Sequence, residues 1–365
     1  VEVSALCGVG VDIDSLRNVA CLEATKTLQE VIVLNINCLA GTASRCIAVD
    51  NRTAYLSGDP QSASIIDSAD GRVLIDSFAA EQALELMVAT AHQAGWLDNR
   101  SIAVVLPDTP TQLQSAEVGL IDTLRRFGHD PTIYLVGCDG TVWCRTGLDG
   151  AVSKMAAQPP DVIFPALNAV SFPELMTAMD TTGMEKPLII QSAFSQHGTD
   201  SAAELVLRYG GRNAALFYDG AVVVDHRDTG RHRRSVYTPP PFDEMCNDEY
   251  SRISGRLRAN PLQRDDIVYE TVVRACAMVR YVARTLYDAG PNPTRRDVHD
   301  ALSLLGNVDA PGMLGGSFGP GKASRPNMVW VLAYEYPCAH GPGYRNSEDE
   351  PGGCLIPTTG TRLAG

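Results

Sequence analysis

The chain has 365 residues, 45% hydrophobic and 20% charged, with a formal net charge of −13. That size and balance fit a globular protein of about two domains with an ample core. The acidic surplus repels phosphate backbones and excludes nucleic acid as a partner, and no apolar run of about 18 residues is present to span a membrane.

Short β-branched runs alternate with helical patterns. The first strand is expected at residues 3–6, a helix at 15–29 and a strand at 31–34. Helical spacing covers 78–94, then a strand 101–106, a helix 112–127 and a strand 132–136. The same rhythm gives a helix at 148–157, a strand at 161–164, a helix at 173–182 and a strand at 188–190. A helix at 202–209 and strands at 214–217 and 221–224 follow. These strands lack in/out alternation, so both faces are expected to be buried. Strand–helix alternation of this kind predicts parallel sheets in an α/β fold. Arg227 and the run Arg231, His232, Arg233, Arg234 read as a solvated loop. Pro239-Pro240-Pro241 is a stiff extended connection. Helices are then expected at 242–257, 265–289 and 294–305, with Gly290-Pro291 as a stop and Thr294 as a cap. A late strand covers 328–333, and a tail rich in Gly and Pro follows.

Ten cysteines punctuate this order. Sequence neighbours pair off as Cys7 with Cys21, Cys38 with Cys46, Cys138 with Cys144 and Cys338 with Cys354, leaving Cys246 with Cys276. Many other connectivities are open to ten thiols. An even count in this pattern reads as disulfides, hence an oxidising compartment. A cytosolic protein with metal or redox thiols is the alternative; it predicts CxxC pairs, and the chain has none. Residues 1–3 lack the basic start and apolar core of a signal peptide. An exported chain would have its signal removed or upstream.

Catalytic motifs are scarce. Gly8-Val9-Gly10 lacks the third glycine of a dinucleotide fingerprint, and neither a phosphate-binding GxxxxGK[ST] loop nor a GxSxG elbow occurs. His226 and His232 flank polar residues and read as loop. His92, His129 and His299 read as surface histidines. His197 and Asp108 follow strands, where ligands bind in α/β proteins; Asp108 lacks a partner nucleophile. No enzyme activity, cofactor or metal is expected.

Several stretches, in collinear order, resemble the type I periplasmic solute-binding proteins of ABC transporters. They are Gln93-Ala94-Gly95-Trp96 before residues 100–105, Phe127-Gly128-His129-Asp130, Pro160-Asp161-Val162-Ile163-Phe164 with Phe172-Pro173-Glu174-Leu175-Met176, Met245-Cys246-Asn247, and residues 288–294. The branch that binds branched-chain amino acids is the nearest likeness, and the cysteines, with Tyr336-Pro337-Cys338, are most similar to its actinobacterial members. The resemblance implies two doubly wound parallel-sheet lobes joined by a hinge. Lobe one would comprise residues 1–98 and 242–325, and lobe two 99–241 and 326–365. Set against the family, the chain is expected to lack the first two strand–helix units of lobe one.

The resemblance also implies a ligand held between the lobes, on loops following the strands. Gly8, Gly10, Asn35 and Asn37 stand where the family presents hydroxyls to a carboxylate. Gln191 and Ser192 stand where it presents an acid to an ammonium. Gln112 and Asn168 replace covering tyrosines, Phe194 supplies an apolar wall, and Asp108 opens a lobe-two loop. Without the acid a buried ammonium lacks its counter-charge. A neutral or hydrogen-bonding solute is therefore expected rather than a plain amino acid. The implied protein is extracellular or periplasmic, delivers solute to a membrane permease and is non-catalytic; an anchor would lie upstream of Val1. The alternative is a structural or sensory envelope protein that keeps the fold and binds a protein partner.

Overall fold

The computed structural model describes residues 13–36, 42–139, 141–195, 197–233, 238–256, 266–308, 316–339, 351–358 and 362–363. The strand expected at 3–6 lies outside them.

Helix α1 (Ile13–Leu22) runs on through a wider turn, Glu23–Thr27, into β1 (Ile32–Asn35). The short α2 (Thr42–Ser44) with its continuation Arg45–Asp50 leads to β2 (Ala54–Ser57), and α3 (Ala63–Ser68) leads to β3 (Val73–Ile75). These strands form a parallel sheet in the order β1-β2-β3. Every residue of β2 is buried, as expected of a strand covered on both faces. One face packs Cys21, Ile47, Ile65 and Val73.

Helix α4 (Ala80–Gln93) then opens a second, larger unit. It continues through β4 (Ile102–Pro107), α5 (Pro110–Ala116), α6 (Asp122–Arg126), β5 (Thr132–Val136), α7 (Leu148–Ala157) and β6 (Val162–Pro165). Next come α8 (Phe172–Thr181), β7 (Leu188–Ser192), α9 (Asp200–Tyr218) and β8 (Val222–Asp225). Strands β5-β4-β6-β7-β8 are parallel neighbours. Helix α4 buries Leu84, Met87 and Val88 against Val104, Phe164 and Ile190 on one face. Helices α7, α8 and α9 cover the other.

The chain returns through α10 (Pro241–Ser254) to α11 (Asp266–Ala289) and α12 (Arg295–Ser303). Thr294 caps α12 reciprocally with Asp297, a capping box. Ala277, Met278, Tyr281, Val298 and Leu302 cover the second face of the small sheet against Leu56 and Leu74. Strands β9 (Met328–Glu335), β10 (Cys354–Pro357) and β11 (Arg362–Leu363) close the large sheet, β9 antiparallel to β8 and β10 and β11 antiparallel to β9. The result is an α/β protein of two doubly wound sheets.

Two expectations need correction. Residues 214–217 are not a strand but the end of α9, which bends at Gly211, φ +68°. A four-residue apolar run has no period that separates strand from buried helix; Ala214, Ala215 and Phe217 pack as a helix face. Cys21 bonds to Cys46, not to Cys7, and so Cys46 is not bonded to Cys38. The pairing follows space: α1 and the Arg45–Asp50 turn lie on one face of the small sheet. The other bridges among the described residues are Cys138–Cys144, Cys246–Cys276 and Cys338–Cys354; Cys7 and Cys38 lie outside those residues. Helix α4 packs with the large sheet, and the segment 76–79 crosses from β3 to it.

That crossing runs beside another. Ile75 bridges in parallel to Ser324, the Arg325 N–H donates to Ile75 O at 3.0 Å, and Ser324 Oγ donates to Ser77 O. The remaining crossing lies between β8 and α11. No helix among the described residues is long and apolar enough to cross a membrane.

Candidate functional site

Ligands of open α/β sheets bind outside the carboxyl ends of parallel strands. Here the carboxyl ends of both sheets meet the crossings, and charged side chains gather there. β1 ends at Asn35, whose Nδ2 donates to Ser57 Oγ and to Asp59 Oδ2, each at 3.2 Å. Gln61 Nε2 donates to the same Ser57 Oγ at 3.1 Å. From α11, Arg274 Nη2 donates to Gly58 O at 2.6 Å and lies 3.7 Å from Asp59 Oδ1.

β3 delivers Asp76. Tyr281 donates to its Oδ1 at 3.0 Å, and Arg325 Nη1 lies 3.7 Å from the same oxygen. β8 delivers Asp225, His226 and Arg227, all buried. Asp225 Oδ1 accepts from the Arg227 N–H at 2.9 Å and Oδ2 from Arg227 Nη1 at 3.1 Å. His226 joins the two sheets: its Nε2 lies 3.2 Å from Asp76 O, so the neutral ring donates from Nε2 to that carbonyl.

Burial governs the charges. It pushes Asp59 up to about 6, against the pull of Arg274 and Asn35, and it raises Asp76 against Arg325. Burial acts the same way on Asp225, but Arg227, His226 and backbone N–H groups outweigh it and hold that carboxyl low. Both buried imidazoles are neutral: burial brings His226 down to about 3 and His197 to about 4.

Beside this network lies a cavity of about 10 Å³, lined by Leu84, Met87, Phe164, Gln191, Phe194 and His197 among others. It holds about one water. Gln191 is 2% exposed and both polar atoms of its amide are without a hydrogen-bond partner. Buried amides rarely stay so.

Asn35, Gln191, Ser192 and Phe194 thus fall in or beside this region. Ser192 Oγ accepts from the Phe194 N–H at 3.1 Å and shapes the turn. Asp108 and Asn168 serve the Cys138–Cys144 loop instead: Asp108 accepts from the Cys138 N–H at 3.0 Å, and Asn168 donates to Val142 O at 2.9 Å. Gln112 lies half-buried on α5. Gly8, Gly10 and Asn37 lie outside the described residues.

Sequence reasoning missed Asp59, Asp76, Asp225 and Arg274. A signal existed: Ile75-Asp76 and Val224-Asp225 each put an acid directly after a buried apolar strand. It also misread two arginines as solvated. Arg227 is 3% exposed, and Arg233 Nη1 donates to buried Asp200 at 2.7 Å. Ion pairing, not solvent, balances their charge.

Gly198 reports how tightly this region packs. A Cβ there would lie 1.9 Å from Asp225 Oδ2. Gly198→Ala is expected to cost about 1–3 kcal/mol, the usual overpacking range, read from urea unfolding. A neutral result would mean that Asp225 is free to move.

No protein-family model matches the sequence, and no curated protein matches it. Solved structures do. One is the solute-binding protein of an ABC transporter from R. palustris in complex with 4-hydroxybenzoate: 12% identity, 96% of this chain and 83% of that chain, TM-score 0.65. A leucine-binding protein from Thermotoga maritima matches at 14% identity, 88% and 82% coverage and TM-score 0.62. A branched-chain amino acid ABC transporter protein from Thermus thermophilus with bound valine matches at 12% identity, 96% and 82% coverage and TM-score 0.64. With the two doubly wound sheets and their crossings, these likenesses show that the chain has the fold of the type I periplasmic solute-binding proteins.

Proposed function

We propose that the chain is an exported, non-catalytic solute-binding protein whose two lobes hinge shut on a small molecule and present it to an ABC-type permease. In this reading the lobes are residues 1–76 with 241–325, and 77–240 with 326–365; α10 stays with α11, to which the Cys246–Cys276 bridge ties it, and only the first crossing is revised from the division expected from sequence. One observation carries the reading: the carboxyl ends of both sheets converge on a buried polar cluster where the chain crosses between them. Hinge closure about such crossings is a general way to enclose a ligand.

The cluster's acids already face arginines, which leaves little uncompensated charge for an ammonium. Gln191, with Phe164, Phe194 and Leu84 around it, offers a hydrogen-bonding amide on an apolar wall. That chemistry suits a solute with a flat apolar body and one polar edge better than a free amino acid. A thermal-shift panel should include benzoic acids, branched-chain amino acids and neutral amides. A true ligand at about 100 times its Kd adds roughly 2.7 kcal/mol of stability. The amino acids alone shifting the melt would overturn the ligand class.

A second reading, a structural or sensory envelope protein, is favoured by one fact: the cavity holds about one water and side chains fill the rest. It predicts no shift with any panel member and copurification with a protein partner.

A further inference from the structure

Glu270 stands one turn before Arg274 on α11, a helix that packs on the small sheet. Its carboxylate reaches across to the other unit. Oε2 accepts from the Asp200 N–H, the first residue of α9, at 2.7 Å. Oε1 accepts from Thr229 Oγ1, just after β8, at 2.9 Å. Both partners belong to the large-sheet unit, and both are buried. Separating the units would break both bonds at once.

The surroundings make this contact sensitive to protons. On α9 the Asp200 carboxylate faces Glu270, and Arg233 holds that carboxylate from the segment after β8. Arg227, from the same segment, and Arg274, from α11 itself, supply the opposing positive charge. Thr229 is neutral. An acid brought against another acid, out of water, prefers to keep its proton.

We infer that Glu270 is a latch between the lobes that takes up a proton on closing, so that acid favours the closed form. This rests on the solute-binding reading, whose site it would regulate. The direction follows from linkage. Burial, then Asp200, raises the Glu270 carboxyl in the closed form, to about 7. In an open form it would be an ordinary solvated acid near 4.3. Below both values the closed form has its full advantage; as pH rises through the raised value, that advantage is lost.

Small-angle scattering of the full chain, without added solute, between pH 8 and pH 5 tests this. The radius of gyration is expected to fall with pH, the closing equilibrium shifting by up to about tenfold per pH unit, the limit for one proton. Glu270→Gln keeps the shape and stays neutral, so it should be closed and flat across the range. Glu270→Ala, lacking both bonds, should be open throughout. A wild-type profile flat in pH, or a Gln variant that titrates like wild type, overturns the latch. The Gln control separates Glu270 from Asp59, which titrates nearby in pH. A panel that finds no solute would sink the solute reading and leave this titration, which needs none, to decide the latch.

Discussion

Asp225→Asn is expected to destabilise the protein by about 3–5 kcal/mol, the usual cost of removing one partner from a buried ion pair. Asp225 is fully buried and Arg227 is 3% exposed. The carboxylate receives both the Arg227 N–H and its guanidinium. Asparagine keeps the size and one acceptor but cancels the charge. Arg227 would then be a buried cation beside Arg274, which already repels it. Urea unfolding at pH 7 measures the loss. Arg227→Met in the same background should recover part of it, because removing both charges avoids the stranded one. A loss under 1 kcal/mol would show that water reaches Arg227 and that the cluster is not dry.

Reduction of the disulfides should have an effect of comparable size, concentrated in the small-sheet lobe. Cys21–Cys46 and Cys246–Cys276 close loops of 25 and 30 residues there. On the chain-entropy model each contributes roughly 3–4 kcal/mol. In the large-sheet unit, Cys138–Cys144 closes a loop of only 6 residues and gives less. Two such losses rival the whole stability of an ordinary domain, about 5–15 kcal/mol. Hydrogen exchange after reduction should therefore show α1, β1 to β3 and α11 losing protection before β4 to β8. Simultaneous loss in both would mean that the lobes unfold as one unit.

Much of the fold was legible in the sequence. The strands at β4, β6, β7 and β8 are apolar on both faces, and the helix after each carries a clear stripe. β2 and β3 were not legible, because Ala54–Ser57 and Val73–Ile75 are short and bounded by polar residues that read as loop. The site was legible only in its uncharged members, Asn35, Gln191, Ser192, Phe194 and His197. Its acids and arginines look like surface residues one at a time. They become a buried network only when β3, β8, α11 and the Arg325 segment meet, and their sequence separation hides that. The cysteines misled for the same reason: Cys21 and Cys46 are near in space across a strand, not nearest in sequence.

The small sheet is assembled from distant parts of the chain, and this bears on how the protein is made. Its strands are complete by Ile75, yet the helices that cover its second face begin at Asp266. At ordinary ribosomal speed the gap of about 190 residues lasts on the order of 10–40 s. For that time Leu56 and Leu74 have no cover, while β4 to β8 of the large sheet are already made. The large sheet waits too, since β9 to β11 are made last of all and supply Leu332, Tyr334 and Leu355 to its core, so neither lobe is complete until the chain is nearly finished.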